Sequence, residues 1–173
     1  MRKEMIDKAN ELELLGSGMT EDNIEANKEY WCEVIFSKIL NCKHFGAFNK
    51  IDLQALANIP LLKVLKDQFI ELKTLHKWHT IGNTLAVSGL NSKRKEFYKG
   101  LCDWVLVYDG KFHRASLIPA SVMFRKGVCY VDPKGKLHFR FSVKKGNCKR
   151  ATKVFNKYML KGFGFNEAEY PVC

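Results

Sequence analysis

Residues Trp104-Val105-Leu106-Val107-Tyr108 form an apolar run without interruption, followed at once by the turn pair Asp109-Gly110. A strand with one wet face alternates apolar and polar residues. An unbroken run of this length reads as a strand buried on both faces. Such a strand belongs inside a sheet that is covered on both sides, so helices must flank it. The chain supplies candidates. Residues 1–15 read as a charged helix that stops at Gly16-Ser17-Gly18. A second helix is expected over residues 20–41, capped by Thr20, with Glu21 and Asp22 where the helix dipole favours negative charge. Its residues Ile24, Tyr30, Trp31, Val34, Ile35 and Leu40 share a broad face. A last helix is expected over residues 148–160, with Val154, Phe155, Tyr158 and Met159 on its apolar side.

Strands are expected between these helices, at residues 51–56, 68–74, 84–90, 104–108, 111–118, 128–131 and 137–143. Residues 42–50 read as a loop, residues 61–65 as a short apolar run in a hairpin-like region, and residues 91–100 as a short basic helix. There is no linker, repeat or low-complexity tract. The expected fold class is therefore α/β, a mixed central β-sheet flanked by helices, with residues 1–173 in one domain and residues 1–41 as its helical N-terminal segment. No apolar run approaches the ~20 residues that a membrane-spanning helix needs. Neither that nor a signal-peptide core is present, so the expected location is cytoplasmic, with no membrane partner.

Charge narrows the partners. The 173 residues carry a formal net charge of +11. Residues 1–33 hold four Lys/Arg against nine Asp/Glu, whereas residues 34–173 hold 25 against nine. Residues 144–161 contain seven basic side chains and no acidic one. A basic body of this size favours a polyanion, most often nucleic acid. The six cysteines lack CxxC spacing, and Cys42-Lys43-His44 has no matching second pair, so reduced and mostly buried thiols are expected rather than a structural zinc site.

The chemistry-bearing stretch is Gln68-Phe69-Ile70-Glu71-Leu72-Lys73-Thr74. On a strand, Glu71 and Lys73 point one way and Ile70 and Leu72 the other. The plain reading is a local ion pair on a wet face, worth little. The alternative is a site in which Glu71 binds a divalent cation and Lys73 holds or polarises the attacking water. Upstream, Asp52 lies between two apolar residues, and Glu29 and Glu33 are four apart on one side of the second helix.

This order of elements resembles the PD-(D/E)XK nuclease superfamily, the restriction-endonuclease-like fold. A helix with glutamates is followed by a strand with Asp52, then by Ile70-Glu71-Leu72-Lys73-Thr74. Next come the strand at 85–90, the helix at 91–100, Cys102-Asp103-Trp104-Val105-Leu106-Val107, and a strand ending in Leu117-Ile118-Pro119. The resemblance covers roughly residues 25–125. It implies that Asp52 and Glu71 are the metal-binding carboxylates, Lys73 the catalytic lysine, and Glu29 or Glu33 an added helix glutamate. It implies Mg²⁺ or Mn²⁺ as cofactor and double-stranded DNA as substrate. A homodimer matches the two-fold symmetry of a duplex cut on both strands. It would come from a bacterial or phage-infected cell. Phosphate contacts would fall to Lys93, Arg94, Lys95, Lys99, Lys144, Lys145, Lys149, Arg150, Lys153 and Lys157. Asp52 is preceded by Ile51 rather than by the family's proline. Asp67 is a rival for its role, but so close to Glu71 that it demands a very tight turn. The competing reading is a non-catalytic module, either the same fold with a decayed site or a viral factor that binds a host enzyme.

Overall fold

The computed structural model of the protein describes residues 3–12, 22, 27–46, 51–75, 84–91, 102–131, 133, 136–142 and 148–172. Helices α1 (Lys3–Glu11) and α2 (Lys28–Ile39) precede strands β1 (Cys42–His44), β2 (Leu53–Ala55) and β3 (Phe69–Leu75). Then come β4 (Thr84–Asn91), β5 (Trp104–Asp109), β6 (Arg114–Pro119), the short helix α3 (Ala120–Met123), β7 (Cys129–Val131), β8 (Lys136–Ser142) and helix α4 (Lys149–Lys157).

The expected mixed sheet is present, with five strands in the order β1-β2-β3-β5-β6. Strands β1, β2 and β3 form an antiparallel meander, β5 lies parallel to β3, and β6 returns antiparallel to β5. A parallel neighbour requires a long crossover, and residues 76–103 supply it. The strand at 84–91 does not join this sheet. It pairs with β8, which pairs with β7, in a separate three-stranded sheet.

All six residues of β5 are buried, as its sequence requires of a strand covered on both faces. On one face Trp104, Leu106 and Tyr108 pack with Ile70 and Leu72 of β3 and with Cys32, Ile35 and Phe36 of α2. On the other face Val105 and Val107 pack with Phe139 of β8 and with Ala151 and Phe155 of α4. Each fully buried Val, Leu or Phe contributes roughly 1.5–3 kcal/mol, so β5 is the strand around which both layers cohere. Among the described residues no helix is long and apolar enough to cross a membrane.

Four local expectations change. Residues 42–44, read as loop, form the edge strand β1, because Leu53 and Ala55 offer His44 and Cys42 a pairing partner that no local pattern announces. Residues 60–62 form a 3-10 turn closed by an Ile59–Val64 bridge, and Leu61 stands exposed at its tip. The helix expected over residues 20–41 is α2, which begins at Lys28 with Asn27 rather than Thr20 as its N-cap and ends at Ile39, just before Asn41 takes a left-handed φ of 51°. Of the basic helix expected at 91–100, Asn91 instead ends β4, and residues 92–100 lie outside the described residues.

Candidate active site

The antiparallel register that sets Leu53 opposite Ile70 brings Asp52, one residue beyond the ladder, level with Glu71. A hydrogen bond fixes that approach: Leu72 N–H donates to Asp52 Oδ2 at 2.6 Å. On β3 itself Lys73 Nζ donates to Glu71 Oε1 at 2.5 Å. Alternation along the strand puts both side chains on one face, as expected, but not a wet one. Glu71 is only 5% exposed. Its second oxygen, Oε2, is buried with no hydrogen-bond partner. An unpaired buried carboxylate oxygen costs free energy, so this atom is poised for a cation or donor from outside the chain.

Helix α2 brings the third carboxylate. Glu33 is half-buried, and its Oε2 lies 2.8 Å from His44 Nε2 on β1. The Tyr30 ring packs edge-on to His44, with centroids 5.2 Å apart. Glu29, in the first turn of α2, is exposed and adds charge rather than contact. Of the two helix glutamates, Glu33 is therefore the one built into the cluster. Asp67 sits in the exposed turn before β3, in a left-handed conformation, with its N–H donating to Ala55 O.

The electrostatics are those of acids held together out of water. Burial raises the Glu71 carboxyl above its ordinary 4.5; Lys73 pulls it back, and Asp52 pushes it up again. Burial raises Asp52 above 3.8, against the Leu72 N–H and the charges of Lys73 and His44. Burial also raises Glu33, against its bond to His44. A carboxyl raised by folding binds its proton more tightly in the folded chain than in the unfolded one. Its contribution to stability is therefore full below its ordinary value and is lost as pH rises through the folded value. In metal-free buffer the double variant Asp52→Asn/Glu71→Gln should show a constant difference from the wild type below the ordinary 3.8 of Asp52. It should gain stability relative to the wild type as pH rises past 4.5, read from urea midpoints across pH. A constant difference across that range would contradict the burial-raised carboxyls.

The remaining expected residues divide. Lys149, Arg150, Lys153 and Lys157 line the exposed side of α4, opposite the buried Ala151, Thr152, Phe155 and Asn156. Lys93, Arg94, Lys95, Lys99, Lys144 and Lys145 lie outside the described residues. A cleft of about 590 Å³ opens at the starts of β3 and β5, lined by Gln68, Cys102, Asp103, Trp104, Pro119 and Ser121 and by none of the clustered acids. Its Cys102 thiol is raised to about 12 by burial and then by Glu71, so it is neutral. Sequence reading missed His44 as a partner of Glu33, since nothing in an eleven-residue separation signals a contact. Among the described residues no three His, Cys, Asp or Glu side chains surround one point closely enough to hold a cation unaided.

A scan against known protein families finds none whose model matches the chain. A search of curated proteins returns no match either. What the site does must therefore be argued from its own geometry.

Proposed function

We propose that this protein is a metal-dependent endonuclease that hydrolyses phosphodiester bonds in DNA, with a restriction-endonuclease-like fold. The observation that carries the reading is the buried, unpartnered Glu71 Oε2 beside Asp52 and Lys73. A buried carboxylate oxygen without a partner is uncommon in a purely structural ion pair. What supports the reading is the chain order of the glutamate helix α2, Asp52 just before β2, the Glu71–Lys73 strand β3, the buried β5 and a β6 that ends in Ile118-Pro119.

The donor set fits Mg²⁺ or Mn²⁺. Both prefer hard oxygen ligands, and Mg²⁺ keeps several waters while taking one or two carboxylates, so Asp52 and Glu71 suffice without a third side chain. Bound there, the ion would offset charge on the non-bridging phosphate oxygen and lower the pKa of a bound water. Glu71 and Asp52 would hold it, Glu33 would add negative charge from α2, and Lys73 would orient the water. Surface lysines and arginines would hold the phosphate backbone, and a homodimer would present two such sites to a duplex.

The test is purified protein with supercoiled plasmid in Mg²⁺, Mn²⁺ or EDTA. Nicking or linearisation in either metal and none in EDTA is the expected result. Melting provides a second readout. Mg²⁺ at about a hundredfold its Kd should stabilise the protein by about 2.7 kcal/mol, and Glu71→Gln should lose that gain. Salt-sensitive binding of plasmid with no cleavage in any divalent cation would instead favour a binding module. One observation supports that second reading: the Glu71–Lys73 pair already neutralises itself.

A further inference from the structure

The small sheet carries a surface that the carboxylate cluster does not use. Its register pairs Cys129 with Phe139 and Tyr130 with His138. Alternation puts Cys129 and Phe139 on the inner face, where Phe139 is fully buried in the core. Tyr130, His138 and Arg140 fall on the outer face. Tyr130 is 47% exposed. The Arg140 guanidinium lies 4.6 Å from its ring centroid, and the His138 ring lies 6.5 Å away, tilted by 37°.

The stretch of sequence that carries this sheet is basic. Residues 111–161 contain fourteen Lys and Arg and a single acid, Asp132. Gly127, with a φ of +83°, leads into β7. A Cβ there would stand 2.7 Å from Arg150 Nη1, so the missing side chain lets the α4 arginine lie against this turn. Arg125 and Lys126, just before it, are exposed. A flat ring on a sheet surface, with the Arg140 guanidinium beside it, suits a ligand that has both a flat face and negative charge. A lone phosphate would not use the ring, and an apolar partner would strip water from the guanidinium groups without replacing it.

We propose that the outer face of β7 and β8 binds single-stranded nucleic acid, with an unpaired base stacked on Tyr130 and a flanking phosphate meeting Arg140. Stacking of this kind tolerates any base, because every base has a π-face. A duplex keeps its bases stacked on one another and offers Tyr130 no such face. The inference rests on the nucleic-acid part of the function proposed above and is independent of hydrolysis.

The experiment is fluorescence anisotropy of a labelled oligo-dT on the full chain in EDTA, where no metal-dependent cutting interferes. Tyr130→Ala should weaken binding about 5- to 100-fold. Tyr130→Phe should bind like the wild type, because it keeps the ring. Arg140→Ala should weaken binding and make the slope of log affinity against log salt shallower by about one. A blunt duplex should not respond to Tyr130→Ala. Unchanged oligo-dT binding by Tyr130→Ala, or an equal loss in Tyr130→Phe, would overturn the proposal. So would a wild type that does not bind oligo-dT at low salt. Metal-dependent plasmid cutting that persists without a Tyr130 effect would remove this surface alone. Tyr130-dependent binding without cutting would remove the hydrolysis reading alone.

Discussion

Lys73→Ala should lower the rate of Mg²⁺-dependent plasmid cleavage by about 10³-fold while leaving DNA binding intact. Lys73 Nζ is the cation that Glu71, Asp52 and Glu33 all feel. Removing it makes the cluster more negative, so metal affinity should hold or rise while the group proposed to orient the water is lost. The loss should therefore fall on the maximal rate and not on the Mg²⁺ concentration needed for half of it. Lys73→Arg should recover only part of the rate. It keeps the charge but replaces a compact ammonium with a planar fork in a space that fits a 2.5 Å contact to Glu71. Initial nicking rates across a Mg²⁺ series would separate these effects, and a Lys73→Ala protein cutting at the wild-type rate would refute the assignment.

Asn156→Ala should destabilise the fold by about 3 kcal/mol, the cost of leaving buried polar groups unpaired. The Asn156 side chain clamps the backbone of Tyr170: its Nδ2 donates to Tyr170 O at 2.8 Å, and Tyr170 N–H donates to its Oδ1 at 3.0 Å. That clamp seats the Tyr170 ring against Phe155 and under the Arg114 guanidinium, and lets the Tyr170 hydroxyl donate to the fully buried Asp109. Asp109 Oδ1 in turn accepts from Lys111 N–H at 2.9 Å, holding the turn between β5 and β6. Asn156→Asp keeps the acceptor for Tyr170 N–H but sets a buried carboxylate oxygen against Tyr170 O, so at neutral pH it should cost more than the alanine variant. Urea midpoints for the two variants would check the order. A smaller loss in Asn156→Asp would mean that the clamp matters for its packing and not for its two hydrogen bonds.

The contrast between these two regions shows what could be read in advance. The Glu71–Lys73 pair was legible because period-two alternation fixes the face of each strand residue from spacing alone. The unbroken apolar run of β5 likewise announced a strand covered on both sides. Asp109 and Asn156 carried no such signal. Asp109 reads as half of a turn pair and Asn156 stands in the expected last helix without a role, and both are buried in the fold. His113, inside the strand expected at 111–118, sits in the turn with a left-handed φ of 51° and bonds the Tyr108 hydroxyl at 3.0 Å.

By itself the sequence determined the α/β class, the buried central strand, the strand that carries Glu71 and Lys73, and the basic character of everything after residue 33. Each of these follows from local periodicity or from charge counting, which need no knowledge of distant contacts. Tertiary structure decided which acids meet. The β2–β3 register sets Asp52 level with Glu71, the packing of α2 turns Glu33 and not Glu29 toward His44, and residues 84–91 leave the main sheet to pair with β8. Those outcomes depend on pairings between segments far apart in the chain, selected by the burial of whole faces, and no window of sequence contains them.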